Sequence, residues 1–326
     1  MLMSKRALLS LAAASLVFGA ETPTAPAAEP YPSGTVNMVV PYPAGGSVDG
    51  VARILTQKLN ERLGNHFIIE NRAGAAGNIG AELAYKAEPN GYTLLSTPPP
   101  PLVINQSLYP KLKFDPALFE RIIVLGRIPN AIVAASTFTA KNVPELIAYA
   151  KANPNKINCA IAGYGTTSHL TSELFQMMAG VKFQHVPYTG SAPALNDLAG
   201  GSVDIMFDNL GVARALVDSG KLRLLAVASA KRISSLPGVP TVAETLPGFE
   251  SDAFYTVVAP PGTPLQIVKK INADIDAALR SPDVAERLAA LSAGIVGGTP
   301  EQTSVYLRVE ADRWKNVIRS ANVRIQ

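Results

Sequence analysis

Cysteine, tryptophan and histidine are scarce in this 326-residue chain, with 1, 1 and 3 copies respectively, and each scarcity narrows what the protein can be. A single cysteine, Cys159, cannot close an internal disulfide, and its place in the apolar run Ile157 to Ile161 reads as burial rather than as a reactive thiol. Three histidines are too few to mark a metal site, so His169 and His185 are read as structural, and neither metal nor cofactor is expected. The Gly-x-Ser-x-Gly elbow, the His-Glu-x-x-His helix and the Cys-x-x-Cys pair are all missing, which weighs against the enzymes those motifs mark. Aromatic residues make up 6% of the chain and the net charge is only +4, with Lys and Arg scattered, so no nucleic-acid partner is expected. A mild positive excess favours anions weakly through the overall field without locating them. After the first 30 residues, no run of about 18 apolar residues occurs, and no transmembrane helix is expected.

What is present begins with a secretion signal. Lys5 and Arg6 precede the apolar stretch Ala7 to Ala20, and Ala25-Pro26-Ala27 has the small-x-small pattern of a cleavage site. Removal of residues 1–27 is expected, with a cut near Ala20 as the alternative. No cysteine stands directly after the stretch, so no lipid anchor is expected. The remainder is long enough for two lobes at the usual 100 to 200 residues per domain.

Along that remainder, strand-like and helix-like runs alternate. Thr35 to Pro41 is almost continuously apolar, as in a strand buried on both faces. Val48, Val51, Ala52, Leu55, Leu59 and Leu63 then recur at helical spacing until Gly64. Further strands are expected at Phe67 to Glu70, Tyr92 to Ser96, Arg121 to Leu125, Ala131 to Ala135, Ile157 to Ala162, Lys182 to Val186, Val203 to Phe207, Leu222 to Ala228 and Ala253 to Ala259. Most are separated by helices, and the chain reads as helical from Pro264 to its end. This grammar predicts an α/β fold of mostly parallel sheets flanked by helices, with ligands at the carboxyl ends of the strands.

Three loops pair glycine with hydroxyl residues directly after a strand and before a helix. In the first, Tyr42-Pro43-Ala44-Gly45-Gly46-Ser47, glycine lets the backbone approach a ligand and the helix start favours a carboxylate. Ser47 is equally readable as a plain helix cap. The second, Gly163 to His169, offers Tyr164, Gly165, Thr166 and Thr167 to a small polar ligand, although helix capping by either threonine accounts for them as well. Its glycine pair lacks the third glycine of a dinucleotide fingerprint. The third, Pro187 to Pro193, contributes Tyr188, Ser191 and Ala192, and Asp208-Asn209 adds an acceptor at another strand end or caps the helix after it. Asn71 to Asn78 looks like a phosphate turn but is read as structural, with Arg72 tying loop to sheet.

Taken in order, these motifs resemble the tripartite tricarboxylate transporter substrate-binding family, also called the Bug receptors, from Tyr31 nearly to the C-terminus. The resemblance rests on Val40-Pro41-Tyr42-Pro43-Ala44-Gly45-Gly46-Ser47, Glu70-Asn71-Arg72, Gly77-Asn78-Ile79-Gly80, Ser168-His169-Leu170, His185-Val186-Pro187-Tyr188, Gly190-Ser191-Ala192-Pro193-Ala194 and Val239-Pro240-Thr241-Val242-Ala243-Glu244. It implies a periplasmic two-lobed clamp of the type 2-like binding-protein class, monomeric, not an enzyme, that holds a small organic carboxylate in the interlobe cleft and reports to a membrane permease. Lobe one is expected to combine 28–130 with 252–326, and lobe two to be 131–251, with crossings near Asn130 and Ser251. The resemblance places one carboxylate on Tyr42 to Ser47 and Tyr164 to Thr167. Thr189 stands where the family often has lysine, and Ala73 where it often has proline. Thr97 precedes four prolines, which with Tyr42 and Tyr164 would make a flat slot for an aromatic acid such as a phthalate or terephthalate. A citrate-like or four-carbon acid is the plain alternative, and a sensor for a membrane kinase or an exported hydrolase are the other readings.

Overall fold

Val36, Met38, Val39 and Val40 are fully buried in β1 (Val36–Val40), which lies between two parallel neighbours, β2 (Phe67–Asn71) and β3 (Thr93–Thr97). A strand covered on both faces has little room for polar side chains, hence its nearly continuous apolar sequence, broken only by Asn37, which donates to Glu70 of β2. The computed structural model describes residues 31–64 and 66–324; the expected secretion signal over 1–27 lies outside the described residues. The parallel pairs require crossovers, which α1 (Ser47–Leu63) and α2 (Asn78–Tyr85) supply. Helix α1 buries Val51, Ala52, Leu55 and Leu59, the valine and the two leucines each contributing about 1.5–3 kcal/mol.

The proline run after β3 leads into a helix rather than continuing extended. Pro100–Ile104 is a wide helical turn that continues into α3 (Asn105–Leu108). First-turn N–H groups have no helical acceptor, so prolines there cost little. The next strands, expected as two, are one: β4 (Glu120–Ala135) runs unbroken through Pro129. The stretch Glu120–Pro129 pairs with β9 (Asp252–Ala259), and Asn130–Ala135 pairs with β7 (Ile205–Asn209) and β8 (Leu222–Val227). A single strand therefore serves both sheets.

Beyond β4 come α4 (Val143–Ala152), β5 (Asn158–Ile161), α5 (Thr167–Ala179), β6 (Gln184–Pro187), α6 (Ser191–Ala199), β7, α7 (Leu210–Asp218) and β8. Strand β5 is parallel to β6 and β7. The chain returns at Ser251, whose N–H donates to Ala228 O and whose carbonyl accepts from Asn130 N–H. After β9 follow α8 (Leu265–Leu279), α9 (Pro282–Ala290), β10 (Gly294–Gly297) and α10 (Pro300–Ser320). Strand β10 interrupts the expected all-helical tail. Two of its four residues are glycine and the other two are exposed, so it carried no strand pattern, and it is seated against β4 because Gly126 has no side chain: a Cβ there would stand 2.7 Å from Gly294 O.

Each sheet is parallel in its outer half and antiparallel where β4, β8, β9 and β10 enter. The expectation of mostly parallel sheets thus needs correction toward the crossings, where the chain passes through both sheets without a helical crossover. Separate apolar cores back the two sheets, one around Leu55, Ile123, Val257 and Ile275, the other around Leu146, Phe175, Phe207 and Phe249. A third cluster under α10 unites Trp314, Ile318 and Leu102 with Leu170 of α5, so the two halves touch through an apolar contact. Among the described residues, no helix is long and apolar enough to cross a membrane.

Candidate functional site

Strand ends from both sheets open onto one cleft of about 660 Å³ including its solvent-facing mouth. Four helices begin on it. Gly46, Ser47 and Val48 start α1; Thr166, Thr167 and Ser168 start α5; Gly190, Ser191 and Ala192 start α6; Asn209 precedes α7. First-turn N–H groups lack intrahelical acceptors, and each helix carries partial positive charge at this end. No lysine, arginine or histidine is among the described residues lining the cleft. What it offers an anion is therefore backbone dipoles and hydroxyls.

The first loop is held from behind by Asp49. Its carboxylate accepts from Gly45 N–H at 3.0 Å, from Arg53 at 2.8 and 3.0 Å, and from Asn71 Nδ2 at 3.0 Å, while Asn71 also donates to Tyr42 O. Burial opposes ionisation of Asp49, but these donors outweigh it and keep its carboxyl below the ordinary value. Gly45 N–H is thus committed to Asp49, whereas Tyr42, Pro43, Ala44, Gly46 and Ser47 line the cleft. Ser47 Oγ is buried without a well-formed hydrogen bond.

In the second loop, Thr166 caps α5: its Oγ1 donates to Gly163 O at 2.7 Å and accepts from His169 N–H at 3.4 Å. Gly165 N–H donates to His169 Nδ1 at 3.2 Å. The proton of a neutral His169 is therefore on Nε2, facing Glu173 at 3.6 Å, with His185 Nδ1 at 3.5 Å from the same oxygen. Burial, reinforced by His169, pushes His185 down to about 4 against the pull of Glu173. Donor atoms of these three side chains lie within 4.8 Å of one another, but a metal on Nε2 would need the proton on Nδ1, where it would collide with Gly165 N–H. The trio instead fixes the loop. Tyr164 rests edge-on against His169, exposed and away from the cleft.

In the third loop, Thr189, Gly190, Ser191, Ala192 and Pro193 line the cleft, but the Tyr188 hydroxyl turns away to Asp197 at 2.7 Å. Behind this wall a buried polar chain runs through the crossings. The Tyr255 hydroxyl donates to Asn209 Oδ1 at 2.8 Å, Asn209 Nδ2 to Asn130 Oδ1 at 2.7 Å, and Asn130 Nδ2 to Thr171 Oγ1 at 2.9 Å and Ser251 Oγ at 3.0 Å.

Of the candidate residues, Tyr42, Pro43, Ala44, Gly46, Ser47, Thr166, Thr167, Ser191, Ala192 and Asp208 come together in the lining. Gly45, Thr97, Tyr164, Gly165 and Tyr188 do not. The buried Thr97 hydroxyl donates to Pro98 O, and the ring-bearing residues that line the cleft include Tyr42, Tyr255, Pro98 and Pro100. Pro98 and Pro100 belong to the proline run expected to form a slot; sequence reasoning missed Val48, Ala162 and Tyr255, of which the first two adjoin strand ends already singled out, whereas Tyr255 lies inside a buried strand and carries no local signal. Gly165 matters in another way: its φ is +80°, and a Cβ there would lie 3.4 Å from Leu108 and 3.5 Å from Ala76 of the facing half. Gly165→Val is expected to weaken ligand binding about tenfold or more, through loop strain of about 1–2 kcal/mol and obstruction between the halves. Calorimetric titration checks it.

Comparison with known proteins agrees with this architecture. Residues 51–323 match the family described as tripartite tricarboxylate transporter family receptor. BugT of Bordetella pertussis is 36% identical over 304 residues, covering 92% of this chain and 93% of that protein. Among solved structures, Rpa4515 of R. palustris with adipate superposes with a TM-score of 0.88 at 37% identity, covering 90% of this chain and 99% of that one. MatC from Rhodopseudomonas palustris with bound malate gives 0.84 at 33% identity, covering 88% and 100%. The chain belongs to the tripartite tricarboxylate transporter receptor family, the Bug-type solute-binding proteins.

Proposed function

We propose that the protein is a periplasmic receptor that captures a small organic carboxylate between its two lobes and delivers it to a tripartite tricarboxylate-type permease. The convergence of four helix starts on a cleft without cationic side chains carries this reading, because such a site attracts an anion through fixed dipoles. Two relatives of the same fold are described with carboxylic acids, adipate and malate. Tyr42, Tyr255, Pro98 and Pro100 would also accept the face of a phthalate-type ring. The lobes, 31–130 with 252–324 and 131–251, would close by turning about Asn130 and Ser251.

Conversion of the ligand is not part of this reading. The lining has no histidine or lysine to act as a base to its serine and threonine hydroxyls, and burial pushes the Cys159 thiol far up. Calorimetric titration of ligand-free protein with adipate, malate, citrate, phthalate and terephthalate, followed by recovery of the acid, tests it. One acid class should bind and return unchanged; a consumed acid would make the protein an enzyme. Loss of uptake on deleting the permease genes would establish delivery.

A further inference from the structure

Asp208 sits on the cleft wall with 3% of its surface exposed. Its Oδ1 accepts from Asn209 N–H at 2.8 Å, while Oδ2 is buried without a well-formed hydrogen bond. An acceptor-only carboxylate is an odd neighbour for an anion. Two carboxylates brought together in a closed, cation-free space cannot both stay ionised, and one takes a proton. The surrounding groups are neutral and relieve this only in part: β4 sets Ala131 beside Asp208, α6 brings the Ser191 hydroxyl, and β9 brings the Tyr255 hydroxyl, which burial keeps protonated. The other titratable side chain on the wall, Tyr42, is likewise kept protonated by burial.

We propose that Asp208 is protonated when the cleft is filled and donates its Oδ2 proton to a ligand carboxylate, so that each acid is captured together with one proton from solvent. This rests on the carboxylate reading above and specifies how the site accepts a second negative group. The competing role, acceptance of an ammonium group from the ligand, is disfavoured by the positive ends of the helices that begin on the cleft. Burial already pushes the Asp208 carboxyl up to about 6 in the empty protein, against the easing effects of Ser191 and Asn209 N–H. Below that pH Asp208 is protonated before the ligand arrives, and affinity is flat. Above it, binding must draw in a proton, so affinity falls as pH rises.

The test is titration of the protein with adipate and malate from about pH 5 to 8, each in two buffers of different ionisation enthalpy. Kd is expected to rise by about tenfold per pH unit above about pH 6.5, with uptake approaching one proton per ligand. Asp208→Asn, which donates without titrating, is expected to flatten the profile and bind more tightly than wild type at pH 8. Binding with a flat wild-type profile and no proton uptake overturns the proton coupling alone. Tight binding of an amino acid that Asp208→Asn abolishes at every pH would assign Asp208 to an ammonium group. Absence of binding by any acid overturns this role and the carboxylate reading together.

Discussion

Ser47→Asp is expected to lower affinity for every carboxylate by about 100-fold or more, about 2.7 kcal/mol, without lowering the unfolding temperature. Ser47 is the first helical residue of α1, 8% exposed, with its hydroxyl on the cleft wall near Tyr255 and without a well-formed hydrogen bond. An aspartate there tethers a carboxylate where the account puts the ligand's own. The helix start stabilises that charge by about 0.3–1 kcal/mol, which offsets part of the cost of burying it, so stability changes little while the site is filled. Calorimetric titration beside thermal unfolding reads both effects. Affinity within about threefold of wild type would move the ligand carboxylate away from α1.

The second large effect is on stability. Asn130 is fully buried at the point where β4 passes from one sheet to the other, and its side chain serves Asn209, Thr171 and Ser251. Asn130→Ala leaves those buried groups short of partners, at about 1–3 kcal/mol for each unsatisfied group, partly relieved by water. A net loss of about 3 kcal/mol is expected, lowering the midpoint by about 6 to 12 °C. Because Asn209 and Tyr255 hang from the same chain of hydrogen bonds, binding should weaken as well. A midpoint within about 2 °C of wild type would show that the chain does not hold the crossings together.

The parts of this molecule legible in the sequence are those whose cause is local. The apolar run of β1 and the helical stripe of α1 ended by Gly64 are local patterns, and they appear where they were expected. Likewise the loops after β1, β5 and β6 announce themselves by glycine and hydroxyl residues, and all three reach the cleft. Features set by distant partners were not legible. Strand β10 exists because Gly126 admits it, and β4 is continuous through Pro129 because β9 and β7 pair with its two ends.

Within the site the same division holds. Composition could not tell a glycine that faces the ligand from one whose N–H is already spent. Gly45 is spent on Asp49 and Gly165 on His169, partners that lie one helical turn onward and look like ordinary helix surface in the sequence. Tyr164 and Tyr188 were chosen for their rings and hydroxyls, yet His169 and Asp197 engage them elsewhere. Tyr255 reaches the cleft from a strand read only as core, and the network that positions it joins residues from Asn130 to Ser251 across 121 positions of sequence.

Thermal unfolding of ligand-free protein against matched pairs, each acid beside its neutral amide, tests most directly whether helix dipoles hold a carboxylate in this cleft. Binding at 100 times the dissociation constant adds about 2.7 kcal/mol, so the midpoint should rise by several degrees with one class of acid and stay in place with its amide. Equal shifts with acid and amide, or none with any acid, would contradict the account.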